Sequence, residues 1–134
     1  MDVHTKAQRS YNMSRVKNSD TKPELIVRKL CHSMGYRFRL HQKSLSGRPD
    51  LVFARHRVVM FVNGCFWHRH KCKYGARLPK TNTEFWQNKL DGNKIRDHRN
   101  WRKLRAQGWR VAVIWECQTR DQNRLLTQLH RIFS

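Results

Sequence analysis

Five consecutive apolar residues, Val58-Val59-Met60-Phe61-Val62, interrupt an otherwise strongly basic chain. A strand with one wet face alternates apolar and polar residues; an unbroken apolar run needs cover on both faces. The run predicts a central strand with layers on either side, and 134 residues suffice to bury such a core in one domain. The flanking patterns supply the cover. Thr21-Lys22-Pro23-Glu24 reads as a capping box with proline in the first turn, starting a helix that stops near Gly35. Tyr36 to His41 alternates as a half-buried strand, and Gln42 to Pro49 is a turn-rich loop. Leu51 to Ala54 reads as a strand opened by Asp50, with a hairpin turn at Arg55-His56-Arg57. A long helix is expected from Thr83 to Gly108, with Asp91-Gly92 as a candidate kink, then a strand over Trp109–Trp115. Leu125, Leu126, Leu129, Ile132 and Phe133 mark an amphipathic C-terminal helix. The order α-β-β-β-α-β-α predicts an α/β domain with one mixed sheet over residues 21–134, preceded by a polar, basic arm over residues 1–20.

Lys and Arg total 29 against 9 Asp and Glu, a formal charge of +20 spread along the chain. Such a surface draws polyanions by counterion release, with non-specific DNA dissociation constants on the order of 10⁻⁴ to 10⁻⁶ M. Nucleic acid is the expected partner. A membrane is not, because the chain has neither a long apolar run nor a clean basic amphipathic helix. The opening residues hold no apolar stretch of the secretory kind, so a cytoplasmic location with reduced thiols is expected. Cys31 falls in a helical apolar pattern with Leu25, Leu30 and Met34 and reads as a core thiol. Cys65, Cys72 and Cys117 are better metal candidates.

Residues 63–82 form a long basic segment without regular periodicity, and a loop of that length in a small domain calls for a staple. Within it, GCFWHRHKC packs Cys65, His70 and Cys72 into eight residues with His68 between them. Thiolate and imidazole are ligands zinc prefers. Spacing alone leaves two chelates open, Cys65 with His68 or Cys65 with His70 and Cys72. Phe66 and Trp67 are adjacent large rings in a basic loop, and both cannot easily pack inward; aromatics in that setting can stack on bases. Phe85, Trp101, Trp109 and Trp115 are expected in the core.

Gly47-Arg48-Pro49-Asp50 places a carboxylate at the mouth of a strand beside the central one. Such a carboxylate can hold Mg²⁺ against a phosphate. Pro-Asp there, in this order of elements, resembles the restriction-endonuclease core of the PD-(D/E)xK group. The acid and lysine usual at the end of the third strand are absent, since that place reads Phe61-Val62-Asn63.

With TEFW at 83–86, GWRVAVIWEC at 108–117 and the opening DVHTKAQRSYNM, the run GCFWHRHKC resembles the very short patch repair endonucleases over nearly the whole chain. The resemblance implies that the chain nicks double-stranded DNA at a T:G mismatch, on the 5′ side of the thymine. It places Mg²⁺ on Asp50 and the Val62 carbonyl, His68 at the attacking water, and Glu24 and Asp97 among the supporting acids. It assigns a structural Zn²⁺ to Cys65, His70, Cys72 and Cys117, which frees His68 for catalysis. Phe66, Trp67 and Trp86 match an aromatic wedge beside the mismatched pair, and Met13 a contact in the opposite groove. Asn63 stands where the family pattern has a histidine; asparagine positions ligands but carries no proton near neutral pH. The resemblance also implies a nucleoid-associated bacterial enzyme, with mismatch-repair proteins and a repair polymerase as partners; a wedge and one active site making one nick suit a monomer. Two rivals remain: a nicking or restriction endonuclease without a mismatch requirement, and a zinc-stapled DNA-binding module without catalysis.

Overall fold

The computed structural model describes residues 20–72 and 75–134, so the basic arm and Met13 lie outside the described residues. Helix α1 (Lys22–Ser33) leads into strands β1 (Arg39–Leu40), β2 (Leu51–Phe53) and β3 (Val58–Asn63). Helix α2 (Thr83–Ala106) crosses to β4 (Arg110–Trp115), and α3 (Gln122–Phe133) closes the order. The sheet runs β1-β2-β3-β4, antiparallel for the first two pairings and parallel for β3–β4. It is a mixed sheet, as the element order predicts.

Burial follows the apolar pattern. Leu51, Phe53, Val58 and Met60 point to one face, where Val27 and Cys31 of α1 and Leu125 and Leu129 of α3 cover them. Val52, Val59 and Phe61 point to the other and meet Trp101 and Leu104 of α2. Burial pushes the Cys31 thiol up to about 12, as befits an inert core thiol. Among the described residues, no helix is long and apolar enough to cross a membrane.

Local signals act where they stand, with adjustments. The Thr21 hydroxyl accepts from the Glu24 N–H at 3.3 Å, but the Glu24 carboxylate returns to the N–H of Asp20 rather than of Thr21. At the far end of α1, Gly35 takes a left-handed φ of 90°. Gly35 N–H then donates to His32 and Tyr36 N–H to Cys31, both at 3.0 Å, which completes a Schellman cap. Helix α2 continues through Gly92 without interruption.

Three expectations need correction. The strand expected over Tyr36–His41 shrinks to Arg39–Leu40, because among the described residues β1 pairs only with β2, which is three residues long. Tyr36 and Phe38 are held by rings instead: Tyr36 stacks on Phe133 at 4.0 Å, and Phe38 meets Phe53 at 5.5 Å. Ala54 leaves the strand for a short 3-10 turn through His56, with left-handed Arg57 completing the reversal. Phe85 is not in the core; at 58% exposed it stands on the outer face of the first turn of α2.

Candidate active site

The β3–β4 pairing organises the site. Parallel register sets Asn63 beside Trp115, so the residues two steps beyond, Cys65 and Cys117, leave the sheet side by side. After Cys65 the chain coils through one tight turn: His68 N–H donates to Gly64 and His70 N–H to Cys65. His70 is thereby folded back over Cys65 while His68 faces α2. That turn separates the two histidines that spacing could not distinguish. His70 Nδ1 lies 3.6 Å from Cys65 Sγ and 3.5 Å from Cys117 Sγ. The donor atoms of Cys65, His70, Cys72 and Cys117 all lie within 4.8 Å of one another.

Several contacts hold this cluster. The Cys117 N–H donates to Cys65 Sγ at 3.4 Å, and the His70 ring stacks on Trp115 at 4.3 Å. Trp115, expected simply in the core, therefore buttresses a candidate ligand. Gly75 packs so close to the His70 backbone that a Cβ would lie 2.0 Å from its carbonyl oxygen. Burial, aided by the neighbouring Cys72 and Cys117 thiols, pushes the Cys65 thiol up to about 12, against the pull of the Cys117 N–H. Burial and then the charge of Arg124 lower His70, which favours the neutral imidazole over the charged one. A cation among the sulphurs would relieve the first effect and use the second.

A cleft of about 280 Å³ opens beside this cluster, lined by His41, Gly47, Arg48, Asp50, Phe61, Val62, Asn63, His68 and Asp97. Asp50 enters from just before β2, and its Oδ2 accepts from the Val62 N–H at 2.8 Å across the β2–β3 pair. Burial raises its carboxyl to about 6; the Glu24 charge adds to that, while the Val62 N–H, His41 and His68 oppose it. Asn63 is 5% exposed, and its Nδ2 has no hydrogen-bond partner among the described residues. His68 Nδ1 meets Asp97 Oδ2 at 2.5 Å, so the helix acid is a partner of this ring rather than a solvated surface charge.

Glu24 is 2% exposed and does not hydrogen-bond Asp50; it meets His41 Nε2 at 2.6 Å and Arg28 at 3.1 Å. Of the 9 acidic residues, Asp50 and Asp97 line this cleft, and Glu24 reaches its edge through His41. His41 and Arg48 are the basic lining residues that sequence reasoning did not assign to the site. The signal for His41 was the hairpin register, which sets it opposite Asp50, and it could be read only once the pairing was known.

Beside the cleft, the rings of Phe66, Trp67 and Trp86 lie within 5.2–5.9 Å of one another, with Phe85 5.5 Å from Trp86. Asn93 on α2 donates to the Trp67 carbonyl at 3.0 Å, tying the loop to the helix.

The chain is similar to known proteins. A family model described as DNA mismatch endonuclease Vsr matches residues 1–74. The chain is 49% identical to a type II nicking enzyme of Xanthomonas oryzae pv. oryzae, over 93% of this chain and 91% of that enzyme. It is 44% identical to the DNA mismatch endonuclease Vsr of Escherichia coli, over 92% of this chain and 79% of that one. A type II nicking enzyme of Neisseria meningitidis matches at 37%, over 98% and 93%. In three dimensions the chain is similar to a homing endonuclease catalytic domain, with a TM-score of 0.56 at 17% identity over 84% of this chain and 93% of that one; at that identity the likeness concerns the fold.

Proposed function

Since the chain belongs to the DNA mismatch endonuclease Vsr family and is an endonuclease, we propose that it nicks duplex DNA on the 5′ side of the thymine of a T:G mismatch, by Mg²⁺-dependent hydrolysis. The observation that carries this reading is the convergence of Asp50, Asn63 and the His68–Asp97 pair on one cleft beside a cluster of aromatic rings.

Asp50 suits Mg²⁺: it offers hard oxygen, one of its oxygens is held by the Val62 N–H, and its charge is desolvated enough to want a cation. Mg²⁺ held by the Asp50 carboxylate and the Val62 carbonyl would neutralise charge on the phosphate and the leaving oxygen. The Asp97 carboxylate accepts from His68 Nδ1, which leaves Nε2 with the lone pair that takes a proton from the attacking water. Asn63 Nδ2, a buried donor without a partner among the described residues, suits a phosphate oxygen, and Arg48 at the mouth adds charge. Asp97→Asn would replace an anion that only accepts with an amide whose NH₂ can donate to Nδ1 and reverse the tautomer. Single-turnover nicking should fall by about 10³-fold, with duplex affinity unchanged; a loss below fivefold would separate Asp97 from His68's task.

The thiol–imidazole cluster suits a structural Zn²⁺. A tetrahedral ion with bonds of about 2.3 Å to sulphur and 2.0–2.1 Å to nitrogen sets S···N edges of about 3.5 Å, and the two recorded edges are 3.6 and 3.5 Å. Four protein ligands leave no open position, so this zinc would staple the loop that carries His68.

Phe66, Trp67 and Trp86 are proposed as the wedge, since unstacking costs least where pairing is already weak. Loss of one stacking ring is worth about 1–3 kcal/mol. Trp86→Ala should therefore narrow the ratio of T:G to T:A nicking by about tenfold or more, measured on paired end-labelled duplexes. The same assay on the wild type tests the whole reading. One cut beside the mismatched thymine is expected; equal cutting of both duplexes would favour a nicking enzyme without mismatch choice, and binding without cutting a DNA-binding module. A nick opens one strand to resynthesis, so mismatch-repair proteins and a repair polymerase are the proposed partners of a monomer acting at the bacterial nucleoid.

A further inference from the structure

A second imidazole–carboxylate pair borders the cleft. His41 follows β1, and its N–H donates to the Asp50 carbonyl at 3.2 Å, one step beyond the Leu40–Leu51 pairing. It therefore sits directly opposite Asp50, where paired Cα atoms lie about 4.5–5.5 Å apart. Its backbone φ of 48° is left-handed, uncommon outside glycine, and takes the ring out of the strand's alternation. The ring reaches Glu24, whose Oε1 lies 2.6 Å from Nε2. Glu24 is buried and anchored by the Asp20 N–H and by Arg28.

A carboxylate at that distance is an acceptor, so Nε2 carries hydrogen whether the ring is neutral or charged. Nδ1 has no partner among the described residues, and His41 lines the cleft. The donor atoms of Asp20, Glu24 and His41 also converge as if for a metal. The Arg28 guanidinium already stands among them, at 2.5, 3.1 and 3.3 Å, so a cation is in place.

Phosphodiester hydrolysis moves two protons at opposite ends of the reaction: one off the water, one onto the leaving oxygen. His68 accounts for the first. Asn63 cannot account for the second, and the lysine of the restriction core is missing. We propose that His41, oriented by buried Glu24, is the general acid that protonates the leaving 3′-oxygen; this rests on the nicking reading and assigns its second proton transfer. As the water oxygen bonds to phosphorus, the bond from phosphorus to the 3′-oxygen breaks. His68 Nε2 receives the water proton, and His41 Nδ1 gives its own to the 3′-oxygen. The products are a 3′-hydroxyl and a 5′-phosphate, and both rings reset by exchange with solvent. Glu24 then acts through His41 as a positioning residue.

The test uses T:G duplexes whose scissile 3′-oxygen is either native or replaced by sulphur, with one divalent ion throughout. A thiolate leaves without a proton, so it bypasses a general acid. His41→Gln keeps a side chain that can donate to Glu24 but cannot shuttle protons. It should nick the oxygen duplex about 10²-fold slower than wild type and the sulphur duplex within about threefold of it, with unchanged affinity for both. Asp97→Asn, which disturbs the water side, should stay slow on both. Equal loss for His41→Gln on the two duplexes, or no loss on the oxygen duplex, would overturn the assignment while leaving the nicking reading intact. Failure of the wild type to cut the oxygen duplex would overturn both.

Discussion

Asp50→Asn is expected to abolish nicking and, without divalent ions, to make the protein harder to melt above pH 6. The two effects have one cause. Burial raises the Asp50 carboxyl from 3.8 to about 6, with the Glu24 charge adding and the Val62 N–H, His41 and His68 only partly offsetting. A raised folded value means that folding favours the proton, so stability falls as pH rises from about 4 through about 6, and the penalty is complete above that. Asparagine still accepts from the Val62 N–H through Oδ1 and carries no charge to desolvate. Its melting temperature should match wild type near pH 4 and exceed it at pH 8. Mg²⁺ should then raise the wild type alone, because binding to the folded state stabilises it. Nicking should fall by about 10³-fold or more, the effect of losing about 4 kcal/mol of transition-state stabilisation. Melting with and without chelator at the two pH values, beside a nicking time course, measures both. A variant that melts lower at pH 8 would contradict the desolvation account, and activity within tenfold of wild type would remove Asp50 from the metal.

Stripping metal from the cluster of Cys65, His70, Cys72 and Cys117 is expected to lower the melting temperature by on the order of 10 °C and to abolish nicking with it. Structural zinc contributes about 10–16 kcal/mol of apparent binding energy in small domains; here a hydrophobic core carries the rest of the fold, so only part of that would appear as lost stability. The part that opens should be local. Without an ion, burial and crowding force the Cys65 thiol into its protonated form, and the loop over 64–82 loses what ties it to Cys117 beyond β4. Activity goes too, because His68 rides on the turn that His70 and Cys65 close. Cys117→Ser should lower bound zinc below the one per chain that the proposed site would hold, and reproduce the melting shift. Metal content by mass spectrometry and thermal unfolding decide it. Full metal loss with an unchanged melting temperature would deny the cluster a structural role.

Much of this arrangement was legible in the residues themselves. The unbroken run at Val58–Val62 demanded cover on both faces, and the helices beginning at Lys22, Thr83 and Gln122 supply it. Thr21, Pro23 and Gly35 act through local backbone geometry and so mark their helix ends wherever the helix packs. Phe85 misled because helical periodicity gives a stripe without saying which side meets the sheet; Trp101 and Leu104 do, and Phe85 does not. The β1 strand misled because alternation describes one chain, whereas strand length depends on how much partner there is to bond.

What the sequence by itself determined is the layered α/β order and the local grouping of Cys65, His68, His70 and Cys72, because these depend on periodicity, caps and distance along the chain. Only the tertiary structure decided the rest. The β3–β4 register brought Cys117 to Cys65, one tight turn parted His68 from His70, and Asp97 came to His68 from a helix twenty-nine residues on. The β1–β2 pairing set His41 opposite Asp50, within reach of Glu24. Each of these joins residues far apart in the chain, and no local pattern encodes a strand register or the angle at which a helix crosses a sheet.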